Sequence, residues 1–264
     1  MSDEILASKQ LVGRLRAALY DCDPRALPSQ MSALFDDAGA VRLPHPIGDV
    51  TGGAGLFEAG FAPLLEAIPD LERRDYVMAG ACDRGEYWVA CGGFYTGVFE
   101  RPWLDIPPTG HVVTMRYIEF YRVDAQRIVE AKLLWDIPAL MMQADAWPMS
   151  PSLGVEFNVP GPATLDGIMD AVSDADTSAA SMALVNAMVE GLGRYAQGGS
   201  EAMQLDKYWH QKMNWYGPAG IGSNRRIDGF RKWHQIPFLN AMPDRSSDTQ
   251  NGVYDCYFAD GDYV

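Results

Sequence analysis

Asp136 is the carboxylate of this chain whose neighbours in sequence point most directly to chemistry. It lies among Leu134, Trp135, Ile137, Leu140 and Met141, and burial among such side chains would disfavour the anion and raise its pKa toward neutrality. A carboxyl so tuned can take a proton from carbon beside a carbonyl and return one to a developing alkoxide. The same residue precedes a short helix expected over 137–142, where an aspartate can instead cap backbone N–H groups. Strand alternation places Lys132, Leu134 and Asp136 on one face. If that face lines a cavity, an ammonium shares the pocket and weakens the base; if it points outward, Lys132 is a surface residue and Asp136 loses its role.

Five further side chains join Lys132 and Asp136 as candidates. His45 precedes Pro46 in a turn and His111 follows Gly110 at a strand start; each could serve as a general acid or be solvated. Arg116 alternates with Met115 and Tyr117, so oxyanion stabilisation and a surface ion pair are both open to it. Tyr95 can line a pocket through its phenol or pack in a sheet, and Trp135 is taken as pocket wall beside Asp136.

The elements that must position these groups follow from periodicity. Apolar residues Ile5, Leu6, Leu11, Val12, Leu15, Ala18 and Leu19 form one stripe, with Lys9, Arg14 and Arg16 mostly off it, so a helix is expected over 5–20. Pro24 and Pro28 open a second helix ending near Phe35, 41–43 reads as a brief strand, and a third helix runs to about Ala67 with a kink or an early end at Pro63. From Tyr76 the pattern is β: 76–81, 87–99, 111–123 and 127–136 are rich in Val, Ile, Tyr, Phe and Trp between Gly, Pro and Asp breaks. Helices followed by antiparallel strands predict an α+β domain, with helices covering one face of a curved sheet.

The segment 44–70 recurs as 218–244, with identities at Pro44/Pro218, Ile47/Ile221, Gly48/Gly222, Gly55/Gly229, Pro63/Pro237, Leu65/Leu239, Ala67/Ala241, Pro69/Pro243 and Asp70/Asp244. The same offset carries 5–20 onto 179–194, which is the mark of one architecture used twice. The second copy stops before counterparts of the later strands, so chemistry is placed in the first. The expected organisation is a complete domain at 1–145, a Pro/Gly-rich linker at 146–176, and a second copy at 177–264 that lacks its last strands. That copy is expected to have helices at 178–196, 200–209 and 227–241 and strands at 214–216 and 253–258. Its aromatic density, Trp209, Trp215 and Trp233 among others, reads as small-cone packing ahead of a ligand cleft.

Of the 264 residues, 48% are apolar and 21% charged, and the net charge is −14. Such a field repels phosphate backbones and anionic lipid, so neither nucleic acid nor membrane is an expected partner. No apolar run approaches bilayer length and the amino terminus carries charges throughout, which reads as cytoplasmic. Cys22, Cys82, Cys91 and Cys256 show no CxxC pair or His in ligand spacing, so neither zinc nor a redox motif is indicated. Cys82 and Cys91 could meet across a hairpin turning near Arg84, although free thiols are the expectation. The turn at 217–222 is not a phosphate loop, because it lacks the terminal Lys-Ser/Thr.

His45-Pro46-Ile47-Gly48, Ile68-Pro69-Asp70, the run 95–99, Ile106-Pro107-Pro108-Thr109-Gly110, Phe120-Tyr121-Arg122, Arg127-Ile128-Val129-Glu130 and Trp135-Asp136 occur in an order and spacing that resembles the SnoaL-like polyketide cyclases of the nuclear transport factor 2-like superfamily. The resemblance covers 5–145 and, as an incomplete copy, 177–264. It implies tandem α+β cones with an apolar pocket, no metal or organic cofactor, and association through the sheet, either as an internal pseudo-dimer or as a homo-oligomer. It also implies an acid/base aspartate, which maps onto Asp136; Lys132 departs from the pattern, since many relatives carry Trp there. The expected function is a cofactor-independent cyclase or isomerase acting on an apolar carbonyl-bearing small molecule. The alternatives are a non-catalytic binding or oligomerisation module and an epoxide hydrolase, which needs two carboxylates and an arginine around one water.

Overall fold

The computed structural model describes residues 2–157, 161–242 and 256–264. The chain divides into two compact units: Met1–Pro148 with Pro160–Ser173 and Tyr263, and Met149–Val159 with Asp174–Asp262.

In the first unit, helix α1 (Ser2–Tyr20) buries Leu11, Val12, Leu15 and Leu19, the stripe its periodicity predicts. Lys9 departs from that reading. It is buried, its stem packs on Gly80 where no side chain intervenes, and its Nζ donates to the Ala171 carbonyl at 2.6 Å. Helix α2 (Leu27–Leu34) leads into β1 (Phe35–Arg42), longer than expected, and then β2 (Asp49–Thr51). The next helix is continuous but changes pitch: α3 (Gly52–Leu56), a π-helical turn (Phe57–Phe61), and α4 (Ala62–Ala67). Pro63 offers no N–H to the ladder, and the kink expected there takes the form of a widened turn just upstream, where the Ala62 N–H reaches the Phe57 carbonyl.

Strands β3 (Glu72–Asp83), β4 (Glu86–Val98), β5 (Val112–Asp124) and β6 (Arg127–Trp135) follow, and α5 (Ile137–Gln143) closes the domain. The sheet order is β2-β1-β6-β5-β4-β3, with β1 parallel to β6 and the other pairs antiparallel. The sheet is therefore mixed, because β1 returns to the far side of the last strand. Its concave face, carrying Tyr95, Met115, Tyr117, Tyr121, Leu133 and Trp135, packs against the helices as one core. This is a single α+β cone.

Cys82 pairs with Tyr87 and Cys91 with Met78 in the β3–β4 ladder, so these thiols do not face each other and form no bridge. Residues expected as linker hold to the cone's edge: the Met78 N–H donates to the Gly167 carbonyl and the Met169 N–H to the Met78 carbonyl. That pairing covers the otherwise open edge of β3.

The second unit contains α6 (Ala175–Leu192), α7 (Tyr195–Ala202), the two-residue strands β7 (Asn214–Trp215) and β8 (Asn224–Arg225), α8 (Arg226–Phe230), a π-helical turn (Arg231–Gln235) and α9 (Ile236–Ala241). Helix–π turn–helix at 226–241 repeats 52–67 residue for residue at the offset of the sequence repeat. Even so, the expected second cone is not present among the described residues, where the only sheet of this unit is β7–β8. The strand expected at 253–258 and the repeat positions Pro243 and Asp244 fall wholly or partly outside the described residues.

Candidate functional site

Tyr117 pairs with Trp135 across β5 and β6, and both point into the cone. Alternation turns the next pair, Arg116 and Asp136, to the other side. Asp136 itself follows the last residue of β6. Its Oδ2 accepts from Arg116 Nη2 at 3.1 Å, and its backbone N–H donates to the Arg116 carbonyl at 2.8 Å. Its side chain is largely screened from solvent by this pairing and makes no capping bond to α5. Leu134, on the same face, is 60% exposed. Lys132 is likewise outward: its Nζ pairs with Glu130 at 3.4 Å and lies 5.0 Å from the centre of the Trp88 ring. Leu134 and Lys132 are thus open to solvent, whereas the Asp136 side chain is 8% exposed. His45 and His111 are exposed and lie in turns.

Tyr95 and Trp135 do meet, inside the cone, and what joins them is Glu119. This carboxylate, 0% exposed, sits on the concave face between Tyr117 and Tyr121. Its Oε1 accepts from the Tyr95 hydroxyl at 2.9 Å and from Trp135 Nε1 at 2.8 Å. Its Oε2 accepts from the Tyr121 hydroxyl at 2.6 Å and from Arg73 Nη1 at 2.7 Å. Arg73, also wholly buried, turns its other edge to Asp75: Nη2 donates to Oδ1 at 3.0 Å and Nε lies 3.2 Å from both carboxylate oxygens. Asp75 further accepts from the Tyr117 hydroxyl at 2.8 Å and pairs with Arg16 of α1 at 3.0 Å. Carboxylate, guanidinium and carboxylate thus stand in line within the core, each oxygen bonded. Burying such charges is tolerable because the pairs and hydrogen bonds replace lost water.

The electrostatics follow from that arrangement. Burial works to lower the Arg73 pKa, but the Glu119 charge outweighs it and the guanidinium is held well above its ordinary value. Burial works to raise Asp75, yet Arg73, Arg16 and the Tyr117 hydroxyl keep its carboxyl below the usual range. The Tyr95, Tyr117 and Tyr121 hydroxyls are pushed well above the ordinary phenol value, by burial first, with the Glu119 charge adding to it. They are committed donors at neutral pH. The cluster holds a carboxylate with four polar hydrogens directed at its two oxygens.

Arg73, Asp75, Glu119, Tyr117 and Tyr121 were not among the residues singled out by sequence. One signal was available: Glu119 interrupts an otherwise apolar alternation of Val113, Met115, Tyr117, Tyr121 and Val123, so a charge had to lie on the buried face. Arg73 and Asp75 lay before the expected start of β3 at 76, where no face could be assigned to them.

Apolar walls surround the cluster. Phe61 meets Tyr95 and Trp135 edge-on at 5.9 and 5.3 Å, and Trp103 stands 6.5 Å from Trp135. Trp103 and Ile106 are buried and bond each other's backbones across a tight turn at Leu104 and Asp105, both in the left-handed region. Among the described residues no group of His, Cys, Asp or Glu is placed to hold a metal ion, and no helix is long and apolar enough to cross a membrane.

The family model for SnoaL-like polyketide cyclases matches residues 10–144. Similar solved structures include IdmH of Streptomyces antibioticus, described as a candidate polyketide cyclase, at 20% identity over 52% of this chain and 96% of that one, with a TM-score of 0.44. A candidate polyketide cyclase of Xanthomonas campestris matches at 19% over 53% and 96%, with a TM-score of 0.44. AclR of Streptomyces galilaeus, a candidate hydroxylase, matches at 18% over 55% and 86%, with a TM-score of 0.45. No curated protein matches the chain.

Proposed function

Since this chain belongs to the SnoaL-like polyketide cyclase family through residues 10–144, we propose that its cone is a cofactor-independent acid/base enzyme of cyclase or isomerase type, acting on an apolar carbonyl-bearing small molecule at Glu119. The observation that carries this reading is a wholly buried carboxylate ringed by four donors on the concave face. Glu119 would take a proton from carbon next to a carbonyl, while Arg73 Nη1 and the Tyr95 hydroxyl hold the enolate oxygen. The carbanion then attacks a second carbonyl of the same molecule, and the proton returns from Glu119 to the new alkoxide, so that atoms and charge balance. The general acid/base part of such a scheme contributes about 10²–10⁴ in rate.

Glu119 is closed off in this conformation, so the reading requires the Trp103–Ile106 turn to swing out and admit substrate. Asp136, the carboxylate to which the family resemblance points, takes a positioning role here. Bound to Arg116 where β6 ends, it fixes the strand register that aims Trp135 at Glu119. The 226–241 match to 52–67 supports reading the second unit as related to the first by duplication. Oligomerisation would use the outer sheet face, where Val112, Ile118 and Leu134 are exposed.

A second reading, hydrolytic opening of an epoxide, is favoured by one observation: Asp75, Arg73 and Glu119 supply the two carboxylates and the arginine that Asp136 and Arg116 could not. A screen of cyclisable poly-carbonyl compounds and of epoxides against the native chain, Glu119→Gln and Asp136→Asn tests both. Turnover lowered by about 10² or more in Glu119→Gln, and by less than about tenfold in Asp136→Asn, is expected. Full activity in Glu119→Gln would refute the assignment, and saturable ligand binding without turnover would leave a binding module.

A further inference from the structure

The second unit carries a cleft of about 490 Å³ bounded by 153–155 and by β8, α8 and the π turn. Its charge runs against that of the chain as a whole. Arg225, Arg226 and Lys232 line it with a single carboxylate, Asp228, in a protein of net charge −14. None of the three cations makes an ion pair among the described residues, Arg225 donating instead to the neutral Asn214 Oδ1 at 3.0 Å. Leu153 and Val155, 54% and 64% exposed, and the half-open indole of Trp233 supply apolar wall in the same cleft. Ser223, also in the lining and 4% exposed, has a buried Oγ without a hydrogen-bond partner among the described residues.

Arg226 adds an independent indication. It adopts φ +61, the left-handed region, with its N–H bonded to the Met213 carbonyl at 2.8 Å. The repeat places it opposite Gly52, which takes φ +64 without the clash a Cβ brings. Arg226 thus carries a side chain in a conformation that the repeat gives to a glycine, and strained backbone of this kind gathers at ligand clamps.

We infer that this cleft is a binding site for a small organic anion with a flat apolar body, its acidic group held by Arg226, Arg225 and Lys232 and its body lying on Trp233, Leu153 and Val155. Carboxylate and phosphate share the required chemistry, and the experiment separates them. Isothermal titration of the full chain with 2-naphthoate, 2-naphthyl phosphate and neutral 2-naphthol should give saturable binding of an anion at least about tenfold tighter than of naphthol, weakening with added salt. Arg226→Gly should weaken the anion by about tenfold or more while its melting temperature equals or exceeds that of the parent, because glycine relieves the backbone. Lys232→Gln, at an exposed position, should weaken it about threefold or more and serves should Arg226→Gly fold poorly. Naphthol bound as tightly as the anions, anion affinity unchanged in both variants, or no saturable heat below about 1 mM would overturn the site.

Discussion

Replacing Glu119 by glutamine tests the centre of the fold and of the proposed chemistry in one step, because the change is isosteric and every partner is known. Two donors meet each carboxylate oxygen: Tyr95 and Trp135 on Oε1, Tyr121 and Arg73 on Oε2. A phenol hydroxyl can rotate and accept, but an indole N–H and a guanidinium N–H can only donate. Whichever way the new amide is turned, its NH₂ faces one of those two, and an orphaned buried donor costs about 1–3 kcal/mol. Arg73 also loses one of its two anionic partners while remaining 0% exposed, and breaking a buried pair costs about 3–5 kcal/mol. Asp75 still holds the other edge of the guanidinium, so the lower end applies, a loss of about 3 kcal/mol. Since the chain folds as two units, hydrogen exchange of peptides from β4, β5 and β6 under native conditions reads the first unit alone. A loss below about 1 kcal/mol would mean that the Glu119 charge does not balance Arg73, and the electrostatic account of the core would fall.

Three further outcomes are expected. Tyr95→Phe removes one hydroxyl from Glu119 and should cost about 1–2 kcal/mol by the same exchange measurement, with a smaller effect than Glu119→Gln. Asp75 is held below the usual carboxyl range, so the stability it contributes is full above the unfolded value of 3.8 and is lost as pH falls through its lower folded value; acid unfolding of native chain and Asp75→Asn should converge below about pH 4, and curves that stay parallel there would contradict this. Burial pushes the Cys91 thiol up to about 12, so its contribution is full below the unfolded value of 9.0 and declines as pH rises from there toward 12; in the native protein at neutral pH it should resist a thiol reagent until the cone unfolds.

The stripe of α1 and the alternation of β4, β5 and β6 were legible in the sequence because each is a local period set by one buried face. One segment of the sequence repeat has a structural counterpart, the helix–π turn–helix at 52–67 and 226–241, while no second cone is seen among the described residues. Local pattern stopped short where a partner was needed. The parallel pairing of β1 with β6, the burial of Lys9 under the Ala171 carbonyl, and the seating of 167–169 on the edge of β3 all depend on residues far away in the chain.

The candidate site divides in the same way. Residue type marked Tyr95 and Trp135 as candidates and left open which face they take, and the two-residue alternation placed Lys132, Leu134 and Asp136 together. Which of two faces turns inward is decided by the helices that cover it, and the partner that Asp136 takes, Arg116, comes from the neighbouring strand. Glu119, Arg73 and Asp75 come from separate strands, and the chain holds charged groups of this kind at many other positions. Only the folded sheet brings these three within hydrogen-bond reach and removes the water that would otherwise separate them, so their chemistry belongs to the tertiary structure.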